Sequence, residues 1–447
     1  MTNELSQRKA YALLALITLF ALFLDCFQLA SQPVSQDDFY VAVSSINYME
    51  SGQLGPTMWN HPGLRNILVY GALRLFGSGV IGVKGVTLVL GLFCTPLMGL
   101  VAQRIFKSWR VGLIAALLWA CDALVIDFSR QGINDIYLAF FPLAAIYLAY
   151  RFRESGRIGW LVGAGLFFGM GLASKWSGLF PLVVTLALLL ADLRREPGPG
   201  RAARFCQTLV LMLVLPALVY LLTFLPWFSR GYSLAEWPAL QRSMYLETSQ
   251  HVGYHPKFWD DRDNRAYKWF VVPSVFVDPF MNLGGALEPG RSEPDFEKAA
   301  IVELGVANPL VWLLVLPAMF LVLRRAARER DEGARYLAGL FFLSYLPLVA
   351  SPRPIWLNTA LSVLPYAIMA VAYLVWTQSQ RLRRGRVLLA AYLSLVLLVA
   401  APLYLLAVGK GTGIPVLKEY LAEKYLKQFK GAPNAGSPPT PQAPGTR

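Results

Sequence analysis

The sequence predicts an all-α integral membrane protein with about eleven transmembrane helices. Of its 447 residues, 56% are hydrophobic and 15% are charged, whereas soluble domains carry about 25% charged residues. The hydrophobic residues form long blocks such as Ala10–Leu29, in which Asp25 is the one acid. About 20 apolar residues cross the hydrocarbon core as a helix, and a helix satisfies its own backbone polar groups there.

The basic residues predict which loops face the cytoplasm. The net charge is +14, and 19 of the 41 Lys and Arg residues lie in five short loops between hydrophobic blocks. These loops contain Arg104, Lys107 and Arg110; Arg151, Arg153 and Arg157; Arg194, Arg195, Arg201 and Arg204; Arg324, Arg325, Arg328, Arg330 and Arg335; and Arg381, Arg383, Arg384 and Arg386. Short loops rich in Lys and Arg stay on the cytoplasmic side. The charge therefore indicates membrane orientation and not a nucleic-acid-binding groove.

With these loops inside, the other segments alternate across the membrane. The predicted spans are about 10–30, 79–102, 111–127, 135–150, 158–173, 176–192, 205–226, 306–323, 336–350, 356–376 and 387–407. Arg8 and Lys9 place the N-terminus in the cytoplasm, and the C-terminus is then outside. Leu64–Phe76 is too short to span and is expected to be an interfacial or half-inserted helix. The predicted location is a bacterial inner (plasma) membrane.

The chain is expected to form a single integral membrane domain over residues 1–430. Its first outer loop covers 31–63, and its large outer loop covers 227–305. The tail 431–447 is rich in Pro, Gly and Ala and is expected to be disordered. The cysteines lie in or beside hydrophobic blocks, and their spacing predicts neither disulfides nor a metal site.

The unusual polar clusters all fall on the predicted outer face. They are Asp37 with Asp38, Asn60 with His61, Ser129 and Arg130 with Asp135, Ser174 with Lys175, and Arg353 between two prolines. Charged residues at the border of a membrane bundle are expected to be functional. This asymmetry indicates an enzyme or receptor with an outward cavity.

The acids point to proton transfer. Asp37 and Asp38 directly follow the first span, where low dielectric and mutual repulsion would perturb and couple their pKa values. One of them could act as a general base toward an acceptor hydroxyl. Two solvated loop acids would explain the pair equally well. The acids at 37, 38 and 135 leave open the binding of a divalent metal. His251 and His255 have a spacing that could suit a metal, but no third ligand is evident, so they do not predict a metal site.

The cations point to phosphate binding. Arg65 follows Pro62 at the start of a short helix, where a phosphate would meet free N–H groups. Arg130 could pair with Asp135, and Lys175 at a hairpin tip could attract a phosphate or snorkel to the interface. Arg353 is fixed by its flanking prolines. Each of these residues could instead be an interfacial or lipid-headgroup contact.

Three stretches carry a family resemblance. The acidic pair is followed by HPGLRNILVYGALRLFG, then by LVIDFSRQGINDIYLAFF, and then by GMGLASKWSGLF. These stretches resemble the protein O-mannosyltransferases and their lipid-A aminoarabinose transferase relatives, which are membrane glycosyltransferases of the GT-C fold (glycosyltransferase family 39-like). The resemblance is good over about 25–190, weak over 227–305 and modest in the last third.

The resemblance implies a GT-C-like bundle with outward-facing amphipathic loop helices. It implies transfer of mannose or a related sugar from a polyprenyl phosphate to an acceptor hydroxyl on the non-cytoplasmic face, with inversion. Asp37 matches the family's catalytic acid, and Asp38 replaces its usual glutamate. The leaving phosphate would be neutralised by cations. The residues so implied are Arg65, Arg130, Lys175 and Arg353, supported by His61, Asn60 and Asp135.

The expected partners are the polyprenyl-phosphate-linked sugar, an acceptor protein, lipid or glycan, and membrane lipids, without nucleic acid. A non-catalytic GT-C-like scaffold subunit of a larger membrane complex is the main alternative. It would fit the family's His-Pro-Pro becoming His-Pro-Gly at Gly63 and the divergent outer loop. A transporter fits less well, because the sequence shows neither an inverted repeat nor paired broken helices.

Overall fold

A computed structural model describes residues 5–29, 35–54, 61–195, 200–250, 265–272, 275–280, 300–352 and 354–408. Within these residues the chain is a helical bundle with one pair of short strands. The predictions for Asn60, His251, His255, Arg353 and the tail 431–447 lie outside the described residues.

The first half of the bundle runs from α1 to α9. The helices are α1 (Gln7–Cys26), α2 (Gln36–Ser51), α3 (Leu64–Phe76), α4 (Val80–Phe106), α5 (Trp109–Ala120), α6 (Ala123–Ser129), α7 (Tyr137–Ser155), α8 (Ile158–Ser174) and α9 (Leu179–Arg195). A 3₁₀ turn, Trp176–Gly178, joins α8 to α9. Helices α4 and α5 pack together, as do α7 and α8.

The second half begins with a helix that contains a π-helical turn. Its elements are α10 (Arg201–Leu209), the π turn Val210–Val214, α11 (Leu215–Leu222), α12 (Leu225–Phe228), α13 (Trp237–Gln250), α14 (Pro309–Trp312), α15 (Val315–Arg328), α16 (Glu332–Val349), α17 (Leu364–Arg381) and α18 (Gly385–Ala407). Strands β1 (Val275–Phe280) and β2 (Ala300–Val306) pair antiparallel, with Val275 opposite Val306. Strand β2 contacts α6 and α18, so the large outer loop returns to the bundle there.

Among the described residues, six helical segments are long and apolar enough to cross a membrane. They are Gln7–Cys26, Val80–Phe106, Trp176–Arg195, Arg201–Leu222, Pro309–Arg328 and Gly385–Ala407. Helices α5 and α6 qualify as one broken pair, bent by 67°. The spans predicted at 135–150, 158–173, 336–350 and 356–376 coincide with α7, α8, α16 and α17. An integral membrane protein is confirmed, whereas the count of eleven spans stays a prediction.

Helix α17 shows why apolar length alone does not define the bundle. Every residue from Leu364 to Tyr373 is buried, and the helix packs against α5 and α15. A helix buried on all sides is shielded by its neighbours from lipid and from water. It can therefore lie in the centre of the bundle without being among the most hydrophobic segments.

Candidate functional site

Asp37 and Asp38 lie in the first turn of α2, which is positioned by a capping box. The Asp38 backbone N–H donates to Ser35 Oγ at 3.1 Å, and the Ser35 backbone N–H donates to Asp38 Oδ2 at 2.9 Å. The Ser-x-x-Asp pattern is the sequence signal of such a helix start. Because neighbouring residues on a helix point about 100° apart, the two carboxylates meet different surroundings.

Asp38 is buried, and both of its carboxylate oxygens have partners. Its Oδ2 lies 3.0 Å from Lys84 Nζ, and both side chains have 0% exposure. Its Oδ1 accepts from the Gly132 backbone N–H at 2.5 Å. A Cβ at Gly132 would lie 3.0 Å from that same oxygen, so the close approach favours glycine. These contacts join α2, α4 and the turn after α6, which indicates a structural role for Asp38 and not the predicted catalytic one.

Asp37 is partly exposed and lies beside charges of both signs. Burial, together with the neighbouring Asp38 and Asp135 carboxylates, raises the pKa of Asp37 to about 6, although Arg65 opposes the rise. Its carboxylate accepts no hydrogen bond from any residue that the structure describes. Desolvation makes a carboxylate a stronger base. Asp37 is therefore the acid of the pair that is suited to accept a proton.

Arg65 is buried in the first turn of α3, with 1% exposure. Its Nε and Nη2 donate to Asn66 Oδ1 at 3.1 and 2.8 Å. Burial lowers the pKa of Arg65 to about 10, while Tyr137, Asp37 and Asp135 oppose the change. The guanidinium thus remains a cation at neutral pH. His61 lies in the bend that precedes α3.

The start of α3 is fixed by close packing. A Cβ at Gly63 would lie 2.6 Å from both the Thr223 carbonyl oxygen and the Tyr48 ring. The Tyr48 hydroxyl donates to that same carbonyl at 2.6 Å. The first outer loop is therefore held against the segment that follows α11, and the position of Arg65 follows from this packing.

Lys175 pairs with Asp135, which corrects the predicted pairing of Asp135 with Arg130. Lys175 Nζ lies 2.8 Å from Asp135 Oδ1, and their side chains are 18% and 3% exposed. Asn358 Nδ2 donates to Asp135 Oδ2 at 3.0 Å. The hairpin that carries Lys175 is tight, because a Cβ at Gly178 would lie 2.6 Å from the Gly171 carbonyl carbon. Asp135 thereby holds the Lys175 side chain of the α8–α9 hairpin in place.

Arg130 has contacts that do not support its predicted role in phosphate binding. It is 1% exposed, and its Nη1 donates to the carbonyl oxygens of Asp25 at 2.8 Å and Phe27 at 2.9 Å. Cations stabilise a helix C-terminus, where carbonyl groups lack partners. Arg130 therefore caps α1 and ties it to the α6–α7 turn.

Three side chains near Asp37 carry buried atoms with no hydrogen-bond partner in the described part of the chain. The atoms are Tyr137 Oη, Asn66 Nδ2 and Asn358 Oδ1. Tyr137 and Asn66 interact with Arg65, and Asn358 donates a hydrogen bond to Asp135. Buried polar atoms are seldom left unsatisfied. Unsatisfied polar atoms on residues next to Arg65 and Asp135 indicate a site that can take hydrogen bonds from, and give them to, a polar ligand.

Sequence reasoning missed three residues of this region. Lys84 had a usable signal, because it is the one charged residue in the predicted span 79–102 and charges within spans are functional or paired. Tyr137 lies two residues after Asp135, and the sequence pattern does not distinguish it from the apolar residues that follow. Asn358 had no signal, because it lies 223 residues from Asp135 in sequence.

A divalent metal does not fit these acids. Asp38 is occupied by Lys84, Ser35 and Gly132, and Asp135 is occupied by Lys175 and Asn358. Among the described residues, no group of three His, Cys, Asp or Glu side chains could hold an ion. The chemistry of this site is therefore derived from its own side chains.

Comparisons with known proteins show which family and which relatives the chain is similar to. Residues 46–233 match the family described as dolichyl-phosphate-mannose-protein mannosyltransferase. The polyprenol-phosphate-mannose–protein mannosyltransferase of Mycolicibacterium smegmatis is 25% identical over 424 residues, which covers 80% of this chain and 79% of the relative.

Two solved structures share the fold. The Saccharomyces cerevisiae protein O-mannosyltransferase Pmt1-Pmt2 complex, bound to the sugar donor, matches with a TM-score of 0.65 at 12% identity, over 91% of each chain. ArnT from Cupriavidus metallidurans, bound to undecaprenyl phosphate, matches with a TM-score of 0.53 at 14% identity, over 95% of this chain and 78% of ArnT.

Proposed function

We propose that this chain is a membrane glycosyltransferase of the GT-C superfamily and that it transfers a sugar from a polyprenyl-phosphate donor to an acceptor hydroxyl; the family match, the relatives and the shared fold support this. The observation that carries the proposal is Asp37, a partly exposed carboxylate with a raised pKa beside Arg65. A base and a cation held together suit the removal of a hydroxyl proton and the departure of a phosphate.

The relatives support mannose as the sugar and a protein as the acceptor. The Mycolicibacterium smegmatis relative is named for a polyprenol-phosphate-mannose donor and a protein acceptor. The matching ArnT structure contains undecaprenyl phosphate. Both names describe a lipid phosphate in the membrane, which agrees with a site held between helices of this chain.

In the proposed mechanism, Asp37 accepts the proton of the acceptor hydroxyl. The acceptor oxygen forms a bond to the anomeric carbon, while the bond from that carbon to the lipid phosphate oxygen breaks. The phosphate leaves with the electron pair of that bond. Attack opposite the leaving phosphate inverts the anomeric configuration. A base with a pKa of about 6 is mostly ionised at neutral pH and still accepts a proton effectively.

Arg65 and Lys175 are the proposed partners of the leaving phosphate. Lys175 Nζ has three N–H donors, and its pairing with Asp135 holds the ammonium in place without using all of them. Arg65 keeps its charge in a buried position, where electrostatic stabilisation is stronger than in water. The Tyr137 hydroxyl supplies a donor to the sugar or the phosphate, and Asn358 Oδ1 supplies an acceptor for a sugar hydroxyl. The predicted roles of Arg353 in phosphate binding and of Asn60 in supporting the site stay predictions.

We further propose that this site faces away from the cytoplasm. Lys84 near the start of α4 contacts Asp38, whereas Arg104 lies near the other end of the same helix. The basic loops are therefore separated from the site by the length of a span. With this orientation we propose the predicted single domain over 1–430 with eleven spans, a cytoplasmic N-terminus, an external C-terminus and an inner-membrane location. A partner in a larger membrane complex stays a prediction.

Purified protein in nanodiscs tests the activity directly. We expect it to transfer radiolabel from polyprenyl-phosphate mannose to an acceptor protein in a membrane extract. The panel of donors includes other polyprenyl-phosphate sugars, and water-soluble nucleotide sugars are the matched negative control. Folded protein that transfers no sugar from any lipid donor would instead favour the scaffold interpretation.

The pH dependence of transfer follows from the raised pKa of Asp37. The ionised carboxylate is the active form of a general base. The rate is therefore expected to be low near pH 5, to rise with a midpoint near about 6, and to level off above pH 7. Initial rates at donor concentrations well below KM give the profile of kcat/KM, which reports the pKa of the free enzyme, and intrinsic fluorescence at each pH checks that the fold is unchanged. A rate that stays flat or falls across this range contradicts the assignment.

A further inference from the structure

A cavity of about 720 Å³ lies at the end of the bundle opposite Asp37. Its walls come from the ends of α4, α7 and α9 and from the starts of α8, α10 and α16. Along α4, Arg104 in its wall lies twenty residues beyond Lys84, which contacts Asp38. At 1.5 Å per residue this separation is about 30 Å, which is about the thickness of the hydrocarbon core. The cavity therefore lies at the other membrane face, among the basic loops.

The cavity wall has an excess of positive charge. Five basic side chains and three acidic ones line it. The basic residues are Arg104, Lys107, Arg153, Arg195 and Arg204, and the acids are Glu154, Asp192 and Glu332. A wall of this composition attracts an anion.

Part of the wall is a rigid ionic network. Arg153 donates to Asp192 at 2.6 Å and to Glu332 at 2.5 Å, and Arg195 donates to Glu332 at 2.6 Å. This network joins α7, α9 and α16. Its charges balance one another. Arg104 is also paired, because its Nε lies 3.2 Å from Glu154 Oε1. The attraction for an anion therefore comes chiefly from Lys107.

Lys107 is held in a conformation that lysine rarely adopts. It ends α4 with φ 51° and ψ 37°, in the left-handed region. Glycine is the usual residue at this position of a helix end, and a residue with a Cβ is strained there. Lys107 is exposed and makes no ion pair with a described acid. Strain at a solvent-facing charged residue points to a function for its ammonium group.

The uncharged part of the wall contains the polar residues Gln103, Gln207 and Thr208 and an apolar part that includes Ile158, Leu189 and Leu193. Ile158 is 39% exposed, so an apolar surface continues outward from the charged wall. We propose that this cavity binds an anionic phospholipid, with its phosphate at Lys107 and an acyl chain along Ile158. Basic pockets between transmembrane helices are suited to such headgroups. An inorganic phosphate would use the cations alone.

The test measures lipid binding by the full-length protein. Native mass spectrometry and thermal unfolding in detergent are followed while phosphatidylglycerol, phosphatidylcholine or inorganic phosphate is added. We expect phosphatidylglycerol to bind and to raise the unfolding temperature more than either of the others. Equal effects of the two lipids, or an equal effect of inorganic phosphate, would overturn the proposal.

The variant Lys107→Gly tests the contribution of the Lys107 charge to lipid binding without destabilising the fold. This change removes the ammonium and relieves the backbone strain, so the lipid-free protein is expected to be at least as stable as the wild type. Its affinity for phosphatidylglycerol is expected to fall about fivefold, as for one basic residue near a membrane surface. Arg383→Gln is the matched control, because Arg383 is an exposed cation outside the cavity. An unchanged affinity in Lys107→Gly, or the same loss in Arg383→Gln, would contradict the site.

Discussion

Asp37→Asn is expected to lower the rate of sugar transfer about 10²- to 10⁴-fold, which is the usual contribution of a general base. The amide has the same shape as the carboxylate and cannot accept the acceptor proton. The apparent KM for the lipid donor is expected to change little, because Arg65 and Lys175 remain in place. The measurement is kcat and KM with radiolabelled donor in nanodiscs.

The fold should tolerate this change. No described residue donates a hydrogen bond to Asp37, and the raised pKa shows that its ionised form is disfavoured by the surroundings. A neutral Asn should therefore leave the unfolding temperature unchanged or raise it. The pH step near about 6 is also expected to disappear from any residual activity. Wild-type kcat in Asp37→Asn would remove Asp37 from the mechanism.

The sequence predicted the outline of this fold because hydrophobic length is a local property. The membrane-spanning character and the helical positions follow from blocks such as Ala10–Leu29 and from the basic loops. The helix α2 was missed, although Ser35 and Asp38 form a capping box. Its apolar residues are too few to stand out beside the long spans. The strand pair also escaped detection, because its two strands are separated by nineteen residues in sequence.

The site was predicted in its residue types and less well in its contacts. Asp37, Arg65, Asp135 and Lys175 could be selected because charges at the edges of spans are uncommon. Which charges pair depends on helix packing, which a single sequence does not specify. The pairing of Asp135 with Lys175 and the capping of α1 by Arg130 are both such packing outcomes. The adjacent acids Asp37 and Asp38 could likewise be given separate roles only after the structure showed the direction in which α2 presents each side chain.

Lys84→Met is expected to destabilise the protein by about 3–5 kcal/mol, since it leaves the buried Asp38 carboxylate without its cation. Methionine is close to lysine in length, so the change removes the charge with little loss of packing. Lys84 and Asp38 are both completely buried, so water cannot replace the lost interaction. Thermal or denaturant unfolding in one detergent measures the loss. We expect transfer activity per folded molecule to fall less than in Asp37→Asn.

The double variant Lys84→Met with Asp38→Asn is the decisive control for this ion pair. Asn at position 38 has no charge to compensate, and its carbonyl oxygen can still accept from the Gly132 backbone N–H. The double variant should therefore be more stable than Lys84→Met alone, which is the non-additivity expected of two groups in direct contact. If the two losses simply add, Lys84 stabilises the bundle through packing and not through the charge of Asp38. If the double variant regains stability, the loss in Lys84→Met comes from the uncompensated charge of Asp38, and the two residues form a structural ion pair.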